Sequence, residues 1–394
     1  MRILLLNYEF PPVGGGAATA SAQIARHLAR RGVQVVVLTS HFRGLPRREP
    51  RDGYLVYRVP AGRRHIDRCS VPEMGAYMLG AAGPALRLAR VFRPDLMHVF
   101  FGMPTGPVGL LVNQVLGVPY LLSLRGGDVP GFMADELARM HQLTMPLTRR
   151  IWARAGALVA NSPRLHQLAL SVVPERTVEL VPNGVDLEMF RPAAPRPEGA
   201  SVRLLFVGRL VRQKGLVYLL QSLAQLDPAI RGQVELELVG SGPDEESLRT
   251  LAGELGIAAQ VHFAGWVARE AIVAHYQQAD VFVLPSLDEG MPNVVLEAIA
   301  CARPIVATDL PGNRELVRGG ENGFLVPRAD SAALTAALDG LITDAALRRR
   351  MGAASRALAE CYSWANVAGR YLALSEEIVA VRRPRSEASK QVAL

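Results

Sequence analysis

A chain of 394 residues exceeds what one hydrophobic core normally holds, so two domains are the default. An apolar content of 49% with three scattered cysteines (Cys69, Cys301, Cys361) describes an ordinary globular protein, and excludes both a disulfide framework and a Cys-x-x-Cys metal site. The net charge of +8 arises in the first 200 residues, where every basic residue is arginine; the rest of the chain is slightly acidic. Such asymmetry calls for an anionic partner of the first half: a membrane surface, a phosphorylated acceptor or nucleic acid.

Residues 3–6 (Ile-Leu-Leu-Leu) read as a buried strand. The run is too short for a signal-peptide core and ends in a charge, which with the cysteine usage sets the expected location as cytoplasmic. Residues 8–17 form a Gly-rich loop opening a helix over 18–29, and 33–38 is the next strand, a βαβ unit. Gly14, Gly15 and Gly16 would let backbone N–H groups approach a phosphate at the helix N-terminus, or serve only a tight turn. The spacing is not G-x-G-x-x-G and no acid follows the second strand, which argues against a nicotinamide site.

Residues 41–70 are Arg-rich, with one clear strand at 54–59, and a helix follows over 74–91. The stretch 99–124 has no charged residue, but Pro104, Pro107, Pro119 and four glycines break it. It reads as loop, helix and strand rather than as a membrane span. A helix over 135–155, a strand over 157–162 and a strand at 178–182 complete a first domain, 1–190.

Residues 191–200 are Pro-rich and read as a linker. The pattern then restarts in a second domain, 201–362, with strands at 202–207, 234–239, 261–264 and 281–286 alternating with helices. A C-terminal helix, 363–380, is expected to cross back to the first domain, ahead of a polar, disordered tail, 381–394. The architecture is α/β, two doubly wound Rossmann-like domains.

Two segments carry chemistry. Glu289-Gly290-Met291-Pro292-Asn293-Val294-Val295-Leu296-Glu297 follows a buried strand and opens a helix. Its two carboxylates lie outside the carboxyl end of a strand, where open α/β sheets bind ligands. Met291 and Asn293 each carry an N–H near the helix start, whereas Pro292 has none to lose. Phe206-Val207-Gly208-Arg209-Leu210-Val211-Arg212-Gln213-Lys214-Gly215 places Arg209 and Lys214 on one strand-to-helix loop. A departing diphosphate needs cations, Arg gripping two oxygens and Lys supplying a point charge. The chain has only two lysines, Lys214 and Lys390, so a lysine inside a motif is notable.

These segments resemble the Glu-x7-Glu helix and the Gly-Arg-Leu-x4-Lys-Gly loop of the retaining glycosyltransferases of family 4, which have the GT-B fold. Val181-Pro182-Asn183-Gly184-Val185-Asp186, Gly240-Ser241-Gly242-Pro243, Phe263-Ala264-Gly265-Trp266-Val267, Pro311-Gly312-Asn313-Arg314-Glu315 and Asn322-Gly323-Phe324-Leu325-Val326 resemble further segments of that family. The resemblance implies two domains facing each other across a cleft. It also implies transfer of a sugar, with retention, from a nucleoside-diphosphate sugar to a glycan, lipid-linked or small-molecule hydroxyl. Arg209 and Lys214 would hold the diphosphate and Glu289 the donor sugar. Glu297 would hold the ribose, and Trp266 and Val267 would flank the base, uracil among the options. Gly290, Met291 and Asn293 line the donor site, and Gly15 and Gly16 would approach the diphosphate from the first domain.

Where many members place a His followed by Gly or Asp, this chain has Arg125-Gly126-Gly127-Asp128, so Arg125 and Asp128 are the candidates to substitute on the acceptor side, and His98 is a separate acceptor-side candidate. No Asp-x-Asp occurs, which removes the usual sequence sign of a diphosphate-bound metal; no metal and no cofactor are expected. The partners expected are the donor, an anionic or carbohydrate acceptor and, through the basic first half, peripheral contact with the inner face of a membrane. The alternatives are a sugar-nucleotide epimerase of the same fold and a basic nucleic-acid-binding protein. The latter would need aromatics among its arginines, and residues 41–70 offer only Tyr54 and Tyr57 and no known module.

Overall fold

The apolar run at the N-terminus sets the centre of the first sheet. Ile3, Leu4, Leu5 and Leu6 are all fully buried, as a strand covered on both faces must be. In a computed structural model of the chain, which describes residues 1–66, 68–132, 134–194 and 201–382, two compact units emerge. The first comprises Met1–Asn183 and the chain from Trp364 onward; the second is Gly184–Ser363.

The first unit holds an eight-stranded sheet made of β1 (Arg2–Leu6), β2 (Gln34–Ser40), β3 (Arg48–Arg51), β4 (Tyr54–Val59), β5 (Leu96–Phe100), β6 (Tyr120–Leu124), β7 (Ala157–Ala160) and β8 (Val178–Leu180). The order is β3-β4-β2-β1-β5-β6-β7-β8, parallel except for β3. Strand order reverses between β1 and β5, so the loop after β1 opens at a topological switch point. Strand β3 lay hidden in the Arg-rich stretch. Its signal is Asp52-Gly53, both at positive φ (46° and 86°), the pair that a two-residue hairpin turn requires.

The helix Trp364–Arg382 buries Trp364, Val367, Ala368, Tyr371 and Leu374 in the core of this first unit. The uncharged stretch resolves into the end of β5, the helix Gly106–Leu116 and β6. Among the described residues no helix is long and apolar enough to cross a membrane.

The expected boundary at 190 moves to 183. Val185 and Phe190 are buried in the second core, and the Val185 N–H donates to the Tyr362 carbonyl at 2.8 Å, so residues 184–190 pack with the second unit. Of the expected linker, 195–200 lies outside the described residues, as does 383–394 of the expected tail; the helix itself continues to Arg382.

The second unit is a six-stranded, wholly parallel sheet of β9 (Val202–Val207), β10 (Val234–Val239), β11 (Val261–Gly265), β12 (Val281–Leu284), β13 (Ile305–Thr308) and β14 (Gly323–Val326). The order β11-β10-β9-β12-β13-β14 puts its switch point between β9 and β12. The loops after those two strands carry Arg209 with Lys214 and Glu289, so the two motifs leave adjacent strands on the same edge. Close backbone approach holds these loops in place. A Cβ at Gly312 would overlap the Gly290 carbonyl oxygen, and one at Gly242 would overlap that of Leu210.

Candidate active site

At the switch point of the second unit, Lys214 Nζ meets Glu289 Oε1 at 2.5 Å, and Ser286 Oγ donates to the same oxygen at 2.8 Å. Both charged side chains are largely buried, with 15% of Lys214 and 10% of Glu289 exposed. Local structure explains the meeting. Arg212–Lys214 forms a single 3-10 turn ended by Gly215 at φ 64°, which aims Lys214 back across the sheet edge. The Leu287 N–H donates to the Gln213 carbonyl at 2.7 Å and Gln213 Nε2 to the Asp288 carbonyl at 3.0 Å, tying the two loops together. Thr308 Oγ1 donates to the Ser286 carbonyl at 2.6 Å, and Asn313 Nδ2 donates to the Thr308 carbonyl at 2.7 Å, extending the tie to the loop after β13.

Arg209 is exposed, and its guanidinium has no hydrogen-bond or ion-pair partner among the described residues. The loop therefore holds one cation neutralised in place, Lys214, and two directed to solvent, Arg209 and Arg212. That arrangement fits a site where an incoming anion completes the charge balance.

Glu297 lies in the helix Asn293–Ala300 with 12% of its side chain exposed. The Tyr276 hydroxyl donates to Oε2 at 2.9 Å, and Arg269 Nη1 lies 3.4 Å from Oε1. Burial pushes the Glu297 carboxyl above its ordinary range, against the opposing pull of the Arg269 charge and the Tyr276 hydroxyl. Asn293 is the first residue of this helix, behind Pro292, and the Met291 side chain packs against the second core. Gly290 is partly buried. Trp266 is 76% exposed just beyond edge strand β11, and Val267 beside it packs on the core. Arg269, three residues beyond Trp266, is the link from this edge to Glu297. Sequence spacing gave no sign of Arg269 or Tyr276 as partners of Glu297, because both lie more than twenty residues away and are brought in by the fold; Ser286, three residues before Glu289, was within local reach.

In the first unit one expectation is corrected, that His98 faces a cleft. His98 is fully buried in β5 rather than open to a ligand; its Nε2 pairs with Ser375 Oγ at 2.8 Å beneath the helix Trp364–Arg382. Burial lowers its pKa to about 3, so the imidazole is neutral at ordinary pH. Arg125 is engaged inside the unit: Nη1 donates to Asn183 Oδ1 at 2.9 Å, Nη2 to the Tyr371 hydroxyl at 3.1 Å, and the guanidinium lies 4.7 Å from the Phe100 ring centroid. Asp128 is buried and organises its own loop, accepting the N–H groups of Arg125 and Gly126 at 2.9 Å and that of Gly102 at 2.7 Å. Its carboxyl is pushed up by burial, against the pull of those N–H groups.

Gly15 caps the helix Gly16–Arg30, and a Cβ there would meet nothing within 4 Å, so the loop presents an open face. Gly14 sits at φ 97° with Glu9 folded against it, and the Gly15 N–H faces the Glu9 carboxyl. Burial raises the pKa of Glu9, while the Tyr8 hydroxyl, the Arg63 charge and the Gly15 N–H pull it down. Glu9 and Arg63 are neighbours of this loop that the glycine spacing alone did not reveal.

Comparison with known proteins agrees with this geometry. Residues 14–189 match the profile of Glycosyltransferase Family 4, and residues 191–358 match that of Glycosyl transferases group 1. A D-inositol 3-phosphate glycosyltransferase of Geodermatophilus obscurus is 32% identical over 93% of this chain and 86% of its own length. Among solved structures, sucrose-phosphate synthase from Thermosynechococcus elongatus superposes with a TM-score of 0.79 at 25% identity, covering 96% of this chain and 99% of that one. The Anabaena protein HepE, solved in complex with UDP, superposes with a TM-score of 0.73 at 19% identity, covering 96% and 100%. Two parallel doubly wound units, the charged loops at the second switch point and these matches along nearly the whole chain lead to one conclusion: the chain belongs to the group 1/family 4 glycosyltransferases, has the GT-B fold and is an enzyme that transfers glycosyl groups.

Proposed function

We propose that the enzyme moves a sugar, with retention of anomeric configuration and without a metal or other cofactor, from a nucleoside-diphosphate sugar to an acceptor hydroxyl. The observation that carries the donor reading is the switch-point loop in which Lys214 is paired to Glu289 while Arg209, one residue beyond the strand-end glycine, stays open to an anion. The donor diphosphate would complete that charge balance, with Arg209 gripping two phosphate oxygens. Glu289, held by Lys214 and Ser286, would accept hydrogen bonds from donor sugar hydroxyls, with Gly290 and Met291 alongside. Glu297 would accept from the ribose, and the open Trp266 face beside Val267 would stack on the base. The UDP complex of HepE supports uridine as that base.

In the transfer step the bond from the anomeric carbon to the diphosphate oxygen breaks and its electron pair stays on the diphosphate. The acceptor oxygen then bonds to the anomeric carbon on the same face, and its proton passes to the departing phosphate. Arg209 and Lys214 stabilise the charge that grows on the leaving group, which is where oriented cations contribute most. The basic first half and the phosphorylated acceptor named for the Geodermatophilus relative both favour an anionic acceptor. A cytoplasmic enzyme meeting its acceptor in solution or at the inner face of a membrane is the corresponding location.

The experiment is to incubate the protein with a panel of nucleotide sugars, with and without EDTA, and measure nucleotide release and the anomeric configuration of the product. Release from one uridine sugar, unchanged by EDTA, with the donor's anomeric configuration preserved is the expected result. An inverted product would overturn retention. Loss of turnover on chelation, restored by a divalent ion, would overturn metal independence. An epimerised sugar formed without any acceptor would replace transfer by the epimerase reading.

A further inference from the structure

Arg63 lies between β4 and the helix Val71–Phe92. It is only 5% exposed, yet its Nε, Nη1 and Nη2 are all buried without a hydrogen-bond acceptor among the described residues. A guanidinium stays charged at any working pH and carries five N–H donors. Leaving all of them dry is costly, and in a native protein such a group points to a partner that arrives from outside.

The surroundings say what kind of partner fits. The Arg63 guanidinium stands 5.9 Å from the Tyr8 ring centroid, and the Tyr8 ring in turn sits edge-on to Phe101 at 4.9 Å, so an aromatic wall backs the cation. Glu9 and Glu73 are near enough to feel its charge, and the Cys69 sulfur, a weak acceptor, lies close enough to draw on one of its N–H groups. The two carboxylates are nevertheless committed to backbone: Glu73 accepts from Arg64 N–H at 2.8 Å and from Ser70 N–H at 2.7 Å, and Glu9 faces the Gly15 N–H. The Gly14 N–H donates to the Ile66 carbonyl at 2.7 Å, which clamps the Arg63 segment onto the Gly-rich loop. The cation is thus fastened beside the open N-terminal turn of the helix Gly16–Arg30, where the backbone dipole also favours an anion.

We propose that Arg63 grips a phosphate group of a substrate through its unsatisfied guanidinium fork, next to the Gly14–Gly16 loop of the first unit. The proposal rests on the transferase reading above, which brings phosphate to the enzyme from two sources, the donor diphosphate and a phosphate on the acceptor. A planar fork with no oxygen acceptor among the described residues matches two oxygens of either.

The test uses the full chain, with inorganic phosphate and UDP as separate probes in titration calorimetry, on wild type, Arg63→Gln, Arg63→Lys and Arg209→Ala. Wild type should bind phosphate, Arg63→Gln should bind it at least tenfold more weakly, and Arg63→Lys, which keeps the charge and loses the fork, should fall between. Without ligand, Arg63→Gln should keep a cooperative melt, at a temperature lowered by loss of the charge facing Glu9 and Glu73, which checks that the variant is folded. A phosphate affinity lost together with UDP affinity identifies the donor diphosphate as the group held; phosphate lost with UDP unchanged identifies the acceptor's phosphate. Wild type that binds no phosphate, or Arg63→Gln with wild-type affinity for both probes, overturns the proposal. If UDP binding fails in Arg209→Ala while both probes bind Arg63→Gln normally, this proposal falls and the transferase reading stands.

Discussion

The two units handle charge at their switch points in opposite ways. In the second, Lys214 is paired to Glu289 and held by Ser286, while Arg209 faces solvent. In the first, the polar side chains beyond β5 and β6 are spent on the fold itself: Arg125 on Asn183 and Tyr371, Asp128 on backbone N–H groups, His98 on Ser375. The cation without an acceptor there, Arg63, is buried and comes from the segment beyond β4. A pre-paired site is rigid before its ligand arrives, whereas a buried cation without an acceptor gains its partner only on binding.

The comparison breaks most visibly at the exposed cation. Arg209→Ala and Lys214→Ala should each lower kcat by on the order of 10²–10³ if both stabilise the departing diphosphate. The double variant should fall short of the product of the two losses, since both serve one group. Arg212→Ala, an exposed neighbour on the same loop, should lose little. Steady-state kinetics on the four proteins decides the matter: equal damage from Arg212→Ala removes the distinction between site and surface.

A smaller effect tests whether His98 belongs to the interior of the first unit. Its pKa is lowered in the fold to about 3 from 6.5, so between those values the unfolded chain binds a proton that the native protein does not. Stability from this residue is fully present above pH 6.5 and is lost as pH falls through that window, by about 2 kcal/mol at pH 5. Denaturant titrations from pH 8 to pH 5 should show that loss in wild type and a flatter dependence in His98→Gln. Identical slopes would return His98 to a solvated setting.

Smaller still is the effect expected at Tyr276, which sharpens the picture of a pre-paired second site. Tyr276→Phe removes the hydroxyl donating to Glu297 without removing the ring from the core. One hydrogen bond to a charged group contributes about 1.5–3 kcal/mol at most. Donor KM should rise about tenfold with kcat little changed, because ribose is held equally in ground and transition states. A fall in kcat with KM constant would place Glu297 nearer the reacting atoms.

How much could be read in advance follows from how far apart in the chain the partners lie. The alternation of strands and helices was legible because each parallel strand is a short apolar run bounded by turn residues, and the switch-point loops followed from the strands. Arg209 and Lys214 were legible because one loop holds both. The pairing of Lys214 with Glu289 spans 75 residues, and periodicity carries no information over that distance. His98 misled for the complementary reason: it has the residue type of a site and a place near a strand end, and it is the helix Trp364–Arg382 that covers it. Strand β3 was missed because Arg48-Glu49-Pro50-Arg51, a charged edge strand, shows no apolar alternation.

The return of that last helix has a consequence for how the molecule is made. The first unit is discontinuous in the chain, with the whole of Gly184–Ser363 inserted between its sheet and its final helix. The contacts that close its core, Ser123 with Tyr371 and His98 with Ser375, join residues 248 and 277 positions apart. During synthesis from the N-terminus, the sheet that emerges first must wait with one flank uncovered while the inserted unit, contiguous and self-sufficient, appears and folds. A chain cut after Ser363 would keep every residue of the second unit and still leave the first with the cavities of Trp364, Tyr371 and Leu374 open to water.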